Sequence, residues 1–559
     1  MPRDEAGMLM NSGGAVNVRR AGLEEGRARD LLILTLAGLA LFVWRLGSHD
    51  LWPPDEPRFA LVAREMWQRA DYAVLSLDDR LYTDKPPLFF WAINGFGRLL
   101  GGVDEWAARL PSAVAGLLAL LLTYWLGASL YERRTGLYGA LVFATSVQIV
   151  ERARWASIDM TLSLFVLSAV VLLWRSWTAP ERAPWVVRGA WILMGLATLA
   201  KGPVGLLLPL LAVLPAMLLE RDLLAVRRVF LPSGIALYLA VTLAWFGIFA
   251  HRVGAAFAVQ VLVHQNVERY VDAWNSRHPV WYYLWRFPAG FFPWSLAFPW
   301  GIAQGYAPEE AHHRRSVTFL VTWIVAILVF FSLSTGKRGV YIIPLYPAAS
   351  ILVGRLLAQA GAPGSTGGRA ARRRLLPPLA LWIASGAFLA IGLPFLARAR
   401  FPSLAPVAAI VGLSLLGGGI ASCVLVRRRG GAGAPACLAV SAGIALLVVV
   451  GAAVPRVNAY QNIKGFAEQV KARLDPGARF ATTEQKRDAW VFYTGRFAEP
   501  LDTPERVLAY LALPGRRDLL IEEGKLREVR AALPAGVVEI LRGRVGSQEY
   551  HLLERASAP

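Results

Sequence analysis

Five short stretches of this chain bring acids, cations and aromatic residues together. The first is Trp52-Pro53-Pro54-Asp55-Glu56-Pro57-Arg58. Three prolines stiffen the backbone around two adjacent acids, and Asp55 either caps the helix that follows or is aimed at a ligand; the spacing leaves both open. The second is Tyr82-Thr83-Asp84-Lys85-Pro86-Pro87, where Lys85 is a cation held beside two prolines, suited to a bound phosphate or to nonspecific contact with lipid phosphates. The third joins Arg152 and Arg154 to Asp159. Asp159 opens an apolar run, where an acid is costly unless it is paired or used. The fourth, His264 to Arg269, offers Arg269 as a phosphate clamp. Its His264 could share a divalent metal, zinc or another, with an outer-loop acid such as Asp84, although a lone His is more often an ordinary hydrogen-bonding residue. The fifth is Ser334-Thr335-Gly336-Lys337-Arg338-Gly339-Val340-Tyr341, a basic loop whose Lys337 suits an anionic headgroup.

Acids set among scattered cations suit group transfer from a phosphate leaving group. Cations such as Lys85, Arg269 and Lys337 stabilise the departing phosphate, and a carboxylate such as Asp55 or Asp159 orients the acceptor or takes its proton. The chain has neither a P-loop nor a Gly-x-Gly-x-x-Gly turn, so the reading has no nucleotide cofactor, and a transferase would draw on a donor already activated on a lipid.

The elements that must position these residues are membrane spans. Hydrophobic residues make up 55% of the 559 positions and charged residues only 18%, below the quarter or so usual in soluble domains. The mean hydropathy is +0.44. Apolar blocks predict about thirteen spans, near 31–46, 107–130, 136–150, 157–177, 188–200, 203–219, 229–250, 286–304, 317–334, 340–358, 376–397, 404–426 and 433–454. The formal charge of +20 lies in alternate short loops, among them Arg133-Arg134, Arg227-Arg228, Arg314-Arg315, Arg372-Arg373-Arg374 and Arg427-Arg428-Arg429. That is the positive-inside pattern rather than a nucleic-acid footprint. It predicts a cytoplasmic segment 1–30, a first span acting as an uncleaved anchor, and a transmembrane domain 31–455. Its first outer loop, 47–105, carries an amphipathic helix from Phe59 to about Arg69 that would lie along the membrane surface. An odd number of spans places the tail, 456–559, outside as a small α/β domain, with a helix near 466–474 and strands near 479–483, 489–493 and 518–522. Cys423 and Cys437 have no metal or disulfide pattern around them.

These motifs, in their order and spacing, resemble the bacterial lipid-carrier-dependent glycosyltransferases of the GT-C fold, especially the aminoarabinose transferases that modify lipid A, which are related to the protein O-mannosyltransferases. The residues that carry the resemblance are Pro54 to Arg58, Lys85-Pro86-Pro87, His264 to Arg269, and Lys337 to Pro347. It implies an α-helical GT-C fold of thirteen spans with a periplasmic α/β tail, set in the bacterial inner membrane. It implies inverting transfer of a sugar, 4-amino-4-deoxy-L-arabinose, from undecaprenyl phosphate to lipid A or another envelope acceptor. Asp55 and Asp159 match the two outer-loop acids, Arg58, Lys85 and Arg269 match positions near the donor phosphate, and Tyr82 and Tyr346 match cavity-lining aromatics. Relatives often carry Glu where this chain has Asp84. Two rival readings are O-glycosylation of a protein or another lipid, and transport of a lipid or sugar. Transport predicts charges facing one another at the bilayer midplane, whereas these charges cluster at span ends and in outer loops.

Overall fold

A computed structural model describes residues 24–179, 181, 183–261, 270, 276–362, 366–398, 401–428, 430–483 and 486–555. Among the described residues, eight helices are long and apolar enough to cross a membrane: Glu105–Leu130, Ile158–Thr178, Leu223–Val253, Pro308–Leu333, Gly339–Ala360, Gly367–Arg398, Pro402–Arg428 and Ala434–Arg473. Other expected spans are shorter or broken. The block at 136–150 forms Arg133–Ala144 and Val147–Arg154, and that at 286–304 forms Tyr282–Gly290 and Phe298–Gly305. Each piece falls short of the roughly 20 residues of a straight crossing. Ala183–Lys201 and Val204–Leu219 fold back on each other across Gly202, whose φ of 91° few side chains would accept.

The segment Gly339–Ala360 is almost wholly buried and forms the centre of the bundle. It packs on Arg133–Ala144 through small residues: a Cβ on Gly354 would stand 2.4 Å from the backbone nitrogen of Gly139. Such close approach drives helix association where lipid, not water, is the solvent. One end of the bundle gathers the Arg-rich loops and ties them with carboxylates. Arg355 bridges Glu310 at 2.8 Å and Glu132 at 3.0 Å, Arg374 bridges Glu309 at 2.6 Å, and Arg133 bridges Asp30 at 3.0 Å.

The opposite end carries the first long loop and the tail. That loop contains the helix Asp55–Arg69, a short hairpin of β1 (Ser76–Leu77) and β2 (Arg80–Leu81), and the helix Leu88–Leu100. The tail forms a five-stranded sheet of β3 (Arg479–Thr482), β4 (Glu499–Pro500), β5 (Arg517–Glu522), β6 (Val537–Val545) and β7 (Gln548–Arg555), in the order β4-β3-β5-β7-β6. β3 runs parallel to both β4 and β5, and the other pairs are antiparallel. The last long helix continues through Val454–Gln461, so the boundary expected at 455 falls inside it.

Two local expectations are corrected. Residues 489–493 lie in a helix, Arg487–Thr494, not a strand; Gly495 closes it at φ 69°, a helix C-cap that a composition of Ala, Trp, Val, Phe and Tyr does not announce. The helix Asp55–Arg69 does not lie on a membrane surface by its apolar face. Phe59, Val62 and Met66 share one buried cluster with Phe466, Trp490 and Tyr550 of the tail, so that face is covered by protein.

Candidate active site

A cavity of about 500 Å³ opens at the tail end of the bundle, and Asp55, Arg58, Tyr82, Asp84, Lys85 and Asp159 all line it. Three separate segments deliver them: the helix Asp55–Arg69, the loop after β2 and the helix Ile158–Thr178. The Pro53–Pro54 segment, whose peptide is cis, turns the chain into the helix Asp55–Arg69. The position before that helix is Pro54 and no side chain caps it, so the capping reading of Asp55 is not what the structure holds. Its Oδ2 accepts instead from Nη2 of Arg338 at 2.6 Å.

The neighbouring acid points the other way. Glu56 is fully buried; its Oε1 accepts from Nε of Arg109 at 2.7 Å, and Nη2 of Arg109 donates to Oε2 at 2.9 Å. Glu56 also accepts from the backbone N–H of Trp52 and of Ala156, each at 2.9 Å. Arg109 spends its remaining donors on the carbonyls of Leu46, His49 and Asp50. One buried carboxylate therefore joins the loop that carries Asp55 to the loop that leads into Asp159. Burial disfavours the charged form of Glu56, but Arg109 and the backbone donors outweigh it and hold its pKa below the usual value.

Burial likewise opposes ionisation of Asp55. The adjacent Arg338 guanidinium overcomes it, with help from Arg58 and Arg152, so that Asp55 stays a carboxylate below the normal range. Asp159 sits in the first turn of Ile158–Thr178 and pairs with Lys201, not with Arg152 or Arg154. Arg152 is bound to Glu151, and Arg154 donates to the carbonyls of Leu41 and Trp44. The Lys201 ammonium stands 4.4 Å from the ring centre of Tyr341, a cation–π contact. Nζ of Lys85 donates to the Asp84 carbonyl at 2.8 Å. Nε of Arg58 donates to Asp488 of the tail at 2.9 Å. The Tyr82 phenol is buried, which raises its pKa well above the usual value and keeps it neutral. Four cations (Arg58, Lys85, Lys201, Arg338) and three carboxylates (Asp55, Asp84, Asp159) line one hollow, so an anionic ligand entering it would meet cations from several elements.

Two residues expected at the cavity lie elsewhere. The Lys337 ammonium is buried and donates to the carbonyls of Ser334 and His278, the latter at 2.9 Å; it holds the loop together from inside. Tyr346 is fully buried, with its hydroxyl on Gln148 at 2.6 Å and its ring against Phe287 and Phe291. His264 and Arg269 fall outside the described residues. Among the described residues no group of three or more His, Cys, Asp or Glu could hold a metal ion; the expected pairing of Asp84 with His264 lies in part outside them.

Sequence reasoning missed Arg338, Lys201 and Tyr341. Arg338 is adjacent in sequence to Lys337, and composition alone does not say which of two successive cations turns outward. Lys201 had a signal: it is a lysine at the break between two apolar helices, in Lys201-Gly202-Pro203.

The structure superposes on crystal structures of ArnT from Cupriavidus metallidurans, one of them bound to undecaprenyl phosphate, with a TM-score of 0.80 over 93% of this chain and 97% of that one, at 22% identity. The chain therefore has the GT-C fold of that transferase. The family described as dolichyl-phosphate-mannose-protein mannosyltransferase matches residues 84–246. The chain is 31% identical over 344 residues to an undecaprenyl phosphate-alpha-4-amino-4-deoxy-L-arabinose arabinosyl transferase of Pectobacterium carotovorum, covering 59% of this chain and 60% of the relative. It is 33% identical over 340 residues to the protein of the same name from Pseudomonas aeruginosa, covering 59% of each. The matched region thus spans about three fifths of the length of these curated relatives. The resemblance read from the motifs, to lipid-carrier-dependent glycosyltransferases of the aminoarabinose type, holds.

Proposed function

We propose that this chain is an inverting glycosyltransferase of the bacterial inner membrane that moves 4-amino-4-deoxy-L-arabinose from undecaprenyl phosphate to lipid A. The observation that carries the reading is the convergence of Asp55 and Asp159, each paired to a cation, with Arg58 and Lys85 around one cavity. Support comes from the names of the curated relatives and from the fold shared with an undecaprenyl phosphate-bound transferase.

The chemistry is one displacement. An oxygen of the acceptor attacks the anomeric carbon as the bond from that carbon to the donor phosphate oxygen breaks. The electron pair leaves on undecaprenyl phosphate, and configuration inverts. Arg58, Lys85, Lys201 and Arg338 are the groups able to stabilise charge gathering on the leaving phosphate. If the acceptor is a lipid A phosphate it is already ionised, and Asp55 orients and polarises it; if a hydroxyl, Asp55 takes the proton. Lys85 and Arg58 come from the first loop, Asp159 and Lys201 from span ends, so one donor phosphate at the bilayer boundary can reach all of them.

Thirteen crossings would count the broken helices Val147–Arg154 and Phe298–Gly305 as parts of spans. The basic loops at the end away from the cavity support a cytoplasmic N-terminus, which makes the cavity and the tail periplasmic. Lipids of the outer leaflet, the lipid-linked donor and the envelope acceptor are then the partners.

Replacing Asp55 with Asn and assaying transfer from the undecaprenyl-phosphate-linked sugar tests the assignment. The expected rate falls by about 10²-fold or more with protein yield and melting temperature preserved. Unchanged turnover would remove Asp55 from the mechanism.

A further inference from the structure

The cavity is walled by the membrane bundle, yet one of its cations is held by the tail. Nε of Arg58 donates to Oδ2 of Asp488 at 2.9 Å, and Asp488 belongs to the tail helix Arg487–Thr494. The preceding residue makes the reverse pairing: Arg487 of the tail bridges Asp78 of the first loop. Two successive tail residues of opposite charge thus grip two first-loop residues of opposite charge. Like charges would meet if the register slipped by one residue.

That helix is fixed in place independently. Its Trp490 shares a buried cluster with Phe59 and Met66. The Phe492 carbonyl accepts from Nη1 of Arg64 at 2.6 Å, and the Tyr493 hydroxyl accepts from the Leu51 N–H at 2.7 Å. Asp488 is therefore a rigid anion at the rim. The charged groups facing it are Arg58, Arg487 and, across Arg487, Asp78. A guanidinium held through Nε keeps its two Nη groups to present as a planar fork to an anion.

We propose that Asp488 is a positioning residue that aims Arg58 at the donor phosphate, so that the tail domain is a working part of the transferase site. The inference rests on the transferase reading and goes beyond it: it assigns the tail a task in binding the polyprenyl phosphate. Asp488 touches neither sugar nor phosphate itself. Its effect passes through Arg58, whose pKa is opposed by burial but raised overall by Asp488.

The test uses the full-length reconstituted protein, with undecaprenyl phosphate as the binding probe and the undecaprenyl-phosphate-linked sugar as substrate. Asp488→Asn should weaken binding of undecaprenyl phosphate about tenfold and raise KM for the donor by a similar factor while changing kcat less. Asp488→Glu, which keeps the charge but displaces it by one methylene, should fall between wild type and Asp488→Asn. Arg516→Met breaks a pair with Asp475 within the tail, away from the first loop, and should leave affinity and KM near wild type even if the melting temperature falls. In an Arg58→Met background, Asp488→Asn should add no further loss.

An Asp488→Asn affinity within twofold of wild type, an Arg516→Met variant that reproduces the loss, or additive losses with Arg58→Met would each overturn the proposal. Should Asp488→Asn fail to fold, Asp488→Glu decides in its place: wild-type affinity there overturns the proposal, and a weakened affinity upholds it. A wild type that binds undecaprenyl phosphate but transfers no sugar would sink the transferase reading and leave the affinity ratios to judge Asp488. A wild type that binds none overturns both.

Discussion

At the scale of single residues, the site works by dividing labour between neighbours. Asp55 faces the cavity and Glu56 faces the protein; Arg338 faces the cavity and Lys337 faces a cage of carbonyls. The sequence made the first division readable only in part, because two acids among three prolines reveal a stiff functional turn but not which acid turns outward. It misled on the second: Lys337 was the expected ligand, and its neighbour occupies the place. The charge pairing makes a pH prediction. Arg338 is what keeps Asp55 ionised below the normal carboxylate range against the effect of burial. In the proposed mechanism ionised Asp55 is the working form, so activity should be lost as the pH falls through its pKa. Arg338→Met removes the cation, lets burial raise that pKa, and should move the acid limb of the rate profile to higher pH. An unmoved acid limb in the variant would mean that Asp55 is not the group that titrates in it.

At the scale of elements, the first loop is positioned by a buried ion pair. Glu56 and Arg109 are both fully buried and between them bind five backbone groups. Removing one partner of such a pair leaves the other charge uncompensated in a dry interior, at a cost of about 3–5 kcal/mol. Glu56→Ala should therefore destabilise the protein by that order and slacken the link to Ala156, with transfer falling in step. A thermal melt in detergent, read against the rate, checks it; a variant as stable as wild type would show that the pair is dispensable. None of this was legible beforehand, since Arg109 lies in an apolar helix 53 positions from its partner. Long apolar helices such as Ile158–Thr178 were legible, because composition alone defines them. The broken ones were not, because pieces such as Val147–Arg154 blend into one apolar block, and only packing shows where the chain turns.

At the scale of the whole molecule, the arginine loops gather at one end and the cavity and tail at the other. This polarity was legible from the basic residues in alternate short loops, since each crossing swaps ends. The contact between the tail and the first loop was not, since Phe59 and Trp490 meet only after the whole bundle has formed. Orientation can be read with single cysteines and a membrane-impermeant thiol reagent. Ser547→Cys on the tail should label from the periplasmic side, and Arg373→Cys in the basic first turns of the helix Gly367–Arg398 only after the membrane is opened. The reverse pattern would put the cavity on the cytoplasmic face.

Transfer to lipid A is the most direct measurement. Expressed in a bacterium lacking its own aminoarabinose transferase but able to make the lipid-linked donor, the wild-type chain should shift the mass of lipid A by one aminoarabinose residue. The Asp55→Asn variant, at equal abundance in the membrane, should leave lipid A unshifted. Unmodified lipid A with the wild-type chain, alongside a sugar newly attached to an envelope protein, would contradict the assignment of the acceptor. An equal shift with Asp55→Asn would contradict the site.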